Sequence, residues 1–272
     1  MAKLFDKEAF SGKAVLITGG TSGIGAAAGK VFSDAGGSVM LTGRSAERGS
    51  SVRDEIRKTG GKAEFIQGDV TDSSFADRAV AETVAKFGSL DVLFANAGIL
   101  TSALFTEITD AQWQELLDTN LSGEFYFGRA AARQMIAQGK GGAIVNMASE
   151  SGLAAYPSLT AYSVTNGARI TLTKQMATDL APHRIRVNAI CPGDVDTPMH
   201  VTLWEGLTKD LPEEEWRKMA AGLIPMGRVS TSEEVAQTVA FLASDVASNI
   251  TGVALSIDGG TVTIRGLPEG AG

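Results

Sequence analysis

Seven short apolar runs alternate with helix-patterned stretches along nearly the whole chain, and few folds accept that rhythm. The runs cover 14–18, 38–42, 63–67, 92–96, 143–148, 186–190 and 254–257. Helical patterns occupy 26–35, 46–58, 74–87, 110–138, 161–180 and 232–243. Strands apolar on both faces must be covered on both faces. The pattern therefore predicts a single α/β domain of Rossmann type, a doubly wound parallel sheet of about seven strands with right-handed crossovers and helices on both sides. A chain of 272 residues buries one large core without needing a second domain. Thr109 with Gln112, and Thr231 with Glu234, have the spacing of capping boxes, which mark two helix starts. No repeat, low-complexity linker or domain boundary interrupts the pattern.

The first apolar run leads straight into Thr18-Gly19-Gly20-Thr21-Ser22-Gly23-Ile24-Gly25, and a helix follows. Glycine permits positive φ and a close approach of the main chain, while a helix start offers free N–H groups to a phosphate. The spacing departs from G-x-G-x-x-G, so the position within a strand–turn–helix unit carries the reading of a nucleotide site. Net charge is −7, from 24 basic and 31 acidic residues, a mean field that disfavours nucleic acid or an anionic membrane as partner. Nowhere do eighteen apolar residues run together. One cysteine, Cys191, excludes an intrachain disulfide and fits a reducing compartment, so a cytoplasmic protein is expected. No His/Cys cluster has ligand spacing, and no metal is expected.

Ser149 follows the fifth apolar run, and Tyr162 stands thirteen residues later near the start of a long helix. The two occur together with the glycine turn, Asp69-Val70, Ala95-Asn96-Ala97-Gly98, Pro192-Gly193 and Asp258-Gly259-Gly260. On these motifs the chain, from about 11 to 260, resembles a short-chain dehydrogenase/reductase. The resemblance implies one dinucleotide-binding oxidoreductase domain over 1–272, a homotetramer or homodimer, and hydride transfer between a nicotinamide cofactor and a ketone or secondary alcohol. It assigns the substrate oxygen to Ser149, the exchanged proton to Tyr162, and a supporting place to Asn120. Against the cofactor it sets Gly19, Thr21, Ser22, Gly23, Ile24 and Gly25, then Asn96, Ala97 and Gly98, with Asp69 and Val70 at the adenine. Pro192, Gly193, Val195 and Thr197 match the segment at the nicotinamide end, where Tyr162 and Asn166 also meet it. The chemistry supports the pair independently, because hydride delivery leaves an alkoxide that needs an acid and a fixed hydrogen-bond donor.

Two departures refine the expectation. After the second run the chain reads Leu41-Thr42-Gly43-Arg44-Ser45, with no acid for an adenosine ribose diol. The Arg44 guanidinium suits a 2′-phosphate, so NADP(H) is expected over NAD(H), with Thr42 and Ser45 adding hydroxyl contacts. The family pattern is Tyr-x-x-x-Lys, whereas this chain has Tyr162-Ser163-Val164-Thr165-Asn166. Asn166 lies one turn from Tyr162 on the same face and can hydrogen-bond ribose hydroxyls, but it carries no charge. A unit charge about 4 Å away at an effective dielectric of ~20 contributes roughly 4 kcal/mol, or about three pKa units. Its loss predicts an enzyme biased toward carbonyl reduction. The competing reading is a nucleotide-binding protein with little catalysis because the lysine is absent, by nature or by an introduced change. Arg169, about 10 Å further along the helix, is expected to reach back only partly or to serve a surface or subunit contact. Lys174 is expected in solvent.

The segment 198–226, with His200, Trp204, Pro212 and Trp216, breaks the alternation and reads as a substrate lid. Glu150, Tyr156, Met199 and Trp204 are the expected substrate contacts, with Leu153, Ala155, Leu203 and Leu207 in an apolar wall. His200 reads as a polar lid residue and not as a catalyst.

Overall fold

Strand β1 (Ala14–Ile17) is buried along its whole length, and its alternate side chains face opposite ways. Val15 and Ile17 join a core with Phe32, Val39 and Leu242, while Leu16 joins a second core with Phe75, Leu93 and Phe127. A computed structural model describes residues 6–209 and 211–263; the ends of the expected 1–272 domain and position 210 within 198–226 lie outside the described residues. The remaining strands are β2 (Ser38–Gly43), β3 (Lys62–Gln67), β4 (Val92–Ala95), β5 (Gly142–Met147), β6 (Ile185–Pro192) and β7 (Ala254–Ile257). They form one sheet in the order β3-β2-β1-β4-β5-β6-β7, with every neighbouring pair parallel. All seven expected strands are present, with ends shifted by no more than two residues.

The helices among the described residues are α1 (Gly23–Asp34), α2 (Ala46–Lys58), α3 (Ser73–Phe87), α4 (Asp110–Leu116), α5 (Gly123–Gln138), α6 (Thr160–Leu180), α7 (Pro198–Leu207), α8 (Glu213–Gly222) and α9 (Ser232–Ala243). Helices α1, α2 and α9 cover the first core, and α3, α5 and α6 cover the second. Both capping boxes form: the Thr109 hydroxyl accepts from Gln112 N at 3.2 Å, and the Thr231 hydroxyl accepts from Glu234 N at 3.2 Å. The helix expected over 110–138 is not uniform. A π-helical turn, Leu117–Ser122, separates α4 from α5 and carries buried Asn120. The Asn120 amide accepts from Ile99 N at 2.8 Å and donates to Ile99 O at 3.0 Å, which satisfies a distant loop. Local periodicity does not register such a bond.

Residues 198–226 supply α7 and α8, which pack on each other through Trp204 and Trp216. These rings stack with centroids 6.2 Å apart at 9°, above a small core that includes Ala220. The aromatic residues therefore hold this segment to itself. The chain runs outward from β1 to β3 and then returns to lay β4 on the other side of β1. The crevice beyond the carboxyl ends of β1 and β4 is thus the topological switch point, where open α/β sheets bind ligands.

Candidate active site

The glycine turn is stitched to the end of β4. Gly19 has φ +65°, and a Cβ there would stand 2.9 Å from Asn96 Nδ2 and 3.0 Å from Ala97 Cα. Asn96 Nδ2 donates to the carbonyl oxygens of Thr18 and Gly19 at 3.0 and 3.1 Å. In return, the Thr18 hydroxyl accepts from Asn96 N and Ala97 N at 2.9 and 3.0 Å. At Gly25 a Cβ would lie 2.3 Å from Gly19 O, so only glycine lets the start of α1 press against the turn. Ser22 at the N-cap makes no side-chain cap bond, and the first turn of α1 holds no acid. Its N–H groups are left for an anion, and this uncapped helix start beside a closely packed turn fits a dinucleotide diphosphate.

One cavity of about 620 Å³ begins at this turn and follows the carboxyl ends of the strands. Gly19, Thr21, Ser22, Gly23 and Ile24 border it, as do Asp69 and Val70 after β3. Asn96, Ala97 and Gly98 after β4 also line it, with Pro192, Gly193, Val195 and Thr197 at and after β6. Gly25, Asn120 and Asn166 stand behind the wall and do not border the cavity. Exposed Arg44 lies at its edge together with Arg48, which the sequence reading omitted although it follows one turn later on α2. The expected hydroxyl contacts do not reach this edge. Thr42 is buried, and the Ser45 hydroxyl caps α2 by accepting from Arg48 N at 3.3 Å.

Ser149 emerges from β5 with extended backbone, and its Oγ accepts from Ser151 N at 3.2 Å. Tyr162, in the first turn of α6, borders the cavity as Ser149 does, and its phenol stands near the side chains of Ser149 and Asn166. Burial pushes its phenol above the usual tyrosine range. The nearby Arg169 charge and the polar side chains of Ser149 and Asn166 oppose that shift without overcoming it. Asn166 is fully buried, and its Nδ2 donates to Tyr162 O at 2.9 Å, so that donor is spent within the helix.

Arg169 differs most from expectation. It is 2% exposed and borders the cavity, with Nε donating to Glu124 Oε2 at 2.6 Å. Asn166, Arg169, Ile170, Thr173 and Ala177 form the buried stripe of α6, so helical periodicity itself places Arg169 inward. Side chains also lean toward the helix N-terminus, which returns a long arm toward Tyr162 and shortens the apparent 10 Å separation. The Glu124 carboxyl is raised to about 7 by burial, against the pull of Arg169. Lys174 is exposed, as expected.

Glu150, Tyr156, Met199 and Trp204 all border the cavity, joined by Leu203 and Leu207. Leu153 and Ala155 face outward and take no part in its wall. Burial raises the Glu150 carboxyl to about 7, with Asp194 and Asp258 adding to the rise and a Tyr156 hydrogen bond opposing it. His200 is buried at the cavity edge, its Nε2 3.6 Å from Asp194 Oδ2, and neither ring nitrogen has a hydrogen-bond partner among the described residues. Among the described residues no group of three or more His, Cys, Asp or Glu side chains is placed to hold a metal, and no helix is long and apolar enough to cross a membrane.

Residues 19–262 match the family described as Enoyl-(Acyl carrier protein) reductase. An uncharacterized oxidoreductase of Thermotoga maritima is 39% identical over 260 residues, covering 94% of this chain and 99% of that protein. The 3-oxoacyl-(acyl-carrier-protein) reductase FabG of the same organism is 39% identical over 251 residues, covering 92% and 98%. A solved short-chain type dehydrogenase/reductase from Mycobacterium marinum superposes with a TM-score of 0.87 at 34% identity, over 94% of this chain and 97% of that one. With relatives matched nearly end to end on a shared sheet, the chain belongs to the short-chain dehydrogenase/reductase family, oxidoreductases that use a nicotinamide cofactor.

Proposed function

We propose that this protein is an NADP(H)-dependent reductase that transfers a hydride between nicotinamide and a ketone or secondary alcohol, working mainly toward the alcohol. The observation that carries the reading is the placing of Ser149 and Tyr162 together on the wall of the cavity that begins at the glycine turn. When bound, the nicotinamide supplies the hydride. Ser149 holds the carbonyl oxygen, and Tyr162 gives it a proton as negative charge grows there. A phenol with its pKa pushed upward stays protonated across the neutral range, so the acid needed for reduction is plentiful and the base needed for oxidation is scarce. Alcohol oxidation then climbs with pH through neutrality instead of levelling.

Met199, Leu203, Trp204 and Leu207 give the substrate side an apolar wall, and 198–226 acts as its lid. Assembly as a homotetramer or homodimer, and a cytoplasmic setting, belong to the same reading and rest on family membership. Consumption of NADPH against a panel of ketones with apolar substituents, a 3-oxoacyl thioester among them, tests it. Tight cofactor binding with no turnover on any of them would turn the reading to a nucleotide-binding protein without catalysis.

Two further outcomes are expected. Arg44→Asp removes a cation from the cavity edge and sets a carboxylate against a 2′-phosphate. The NADPH-to-NADH ratio of kcat/KM falls about tenfold or more, the scale of one charge-assisted hydrogen bond; an unchanged ratio removes the basis for NADP(H). Glu150 is neutral below about 7 and ionised above it. A carboxylate appearing beside an uncharged ketone weakens its binding, so KM rises as pH passes that value, and Glu150→Gln flattens the rise. A KM profile identical in the variant counts against a place for Glu150 at the substrate.

A further inference from the structure

Arg169 is buried in the middle of α6, where a cation leaving water is heavily disfavoured unless its surroundings compensate. Three contacts fix its guanidinium. Nε donates to Glu124 Oε2 on α5 at 2.6 Å, and Nη2 lies 3.4 Å from the carbonyl oxygens of Ala95 and Ala97 at the end of β4. Nη1 has no protein acceptor among the described residues and lies 3.6 Å from the point a Cβ on Gly98 would occupy, beside the cavity that Tyr162 and Ser149 also border. Asn166 occupies the position of the family's lysine, yet it is uncharged, committed to Tyr162 O and set behind the cavity wall. A cation is therefore present at this site, one turn beyond the expected position and seated against β4.

We propose that Arg169, clamped by Glu124, supplies the positive charge at the Ser149–Tyr162 centre that Asn166 cannot supply. Arg169 is a positioning residue that acts on Tyr162 through space. Arginine suits the displaced position because its arm is long, its charge permanent and its donors numerous enough to be held by a carboxylate and two carbonyls at once. The charged groups facing Tyr162 are Arg169 from its own helix and Glu150 from the turn after β5, and they act on the phenol in opposite directions. Asp194 and Asp258 act on Glu150, and Glu124 reaches from α5 to Arg169.

The inference rests on the reductase reading only for the use made of the Tyr162 proton; the charge effect is measured without turnover. Cofactor-free protein carrying fluorinated tyrosine at its three tyrosine positions is titrated by fluorine NMR, with Tyr126→Phe and Tyr156→Phe identifying the signals. The paired variant Glu124→Leu/Arg169→Met removes both charges and leaves no stranded carboxylate. The Tyr162 midpoint is expected to rise by about one pH unit, a tenfold smaller phenolate fraction at a given pH. Arg169→Lys retains most of the wild-type midpoint, and adding Asn166→Lys to the paired variant restores it. Where the paired variant does not fold, Arg169→Gln keeps a donor toward Glu124 and, with that carboxylate uncompensated, is expected to show a rise at least as large. An unchanged Tyr162 midpoint in a folded variant lacking the Arg169 charge overturns the proposal. A shifted midpoint in a protein that reduces no ketone leaves this inference standing and removes the reductase reading; turnover without the shift does the reverse.

Discussion

Tyr162→Phe is expected to lower the rate of ketone reduction by about 10²–10⁴-fold, the range for loss of a positioned general acid. The ring remains in the first turn of α6, and only the hydroxyl near Ser149 and Asn166 is removed. Cofactor affinity should change little, because the glycine turn and the start of α1 keep their own contacts. Single-turnover measurement separates the two quantities by reading the chemical step and NADPH binding independently. The pH profile adds a second criterion. The chemical step of reduction in the wild type stays flat across neutrality, since burial holds the phenol protonated there, while that of oxidation rises steadily with phenolate. A loss of less than about tenfold in the variant would show that the proton comes from Ser149 or solvent, and the assigned role would fail.

Gly25→Ala is the second change with a large expected effect. A Cβ at this position would meet Gly19 O at 2.3 Å, Gly19 C at 2.9 Å and Asn96 Nδ2 at 2.7 Å. Two of those neighbours are backbone, so relief requires the turn and α1 to move apart. Overpacking of this kind destabilises by about 1–3 kcal/mol. Separation also disturbs the Asn96 bonds to Thr18 and Gly19 that hold the turn beneath its ligand. Cofactor binding is therefore expected to weaken at least about tenfold, beyond the loss of stability, since the N–H groups of α1 no longer converge on one anion. Thermal melting and fluorescence titration with NADPH measure the two effects. Full affinity with a lowered melting temperature would mean that the turn serves only packing.

The π-helical turn at Leu117–Ser122 shows where local reading stops. The apolar spacing across 110–138 is that of a helix, and a helix forms, but a bond from Asn120 to Ile99 on another segment decides its inner geometry. Leu153 and Ala155 fail as wall residues for a related reason: their apolar character is plain in the sequence, yet the direction they face depends on how the turn after β5 meets α6. Arg48 and Arg169, by contrast, were within reach. The first follows Arg44 by one helical turn, and the second falls on the inward stripe of α6.

The sequence by itself determined the strands, the two capping boxes and the glycine turn between β1 and α1. Each is encoded by residues near one another in the chain, through side-chain alternation, turn chemistry or helix-start hydrogen bonds. Tertiary structure alone decided which partner meets the inward-facing guanidinium of Arg169 beside Ser149 and Tyr162. A cation can leave water only where a partner meets it, and Glu124 reaches Arg169 across 45 residues of chain. That meeting depends on how α5 and α6 pack on the sheet, which no local pattern specifies.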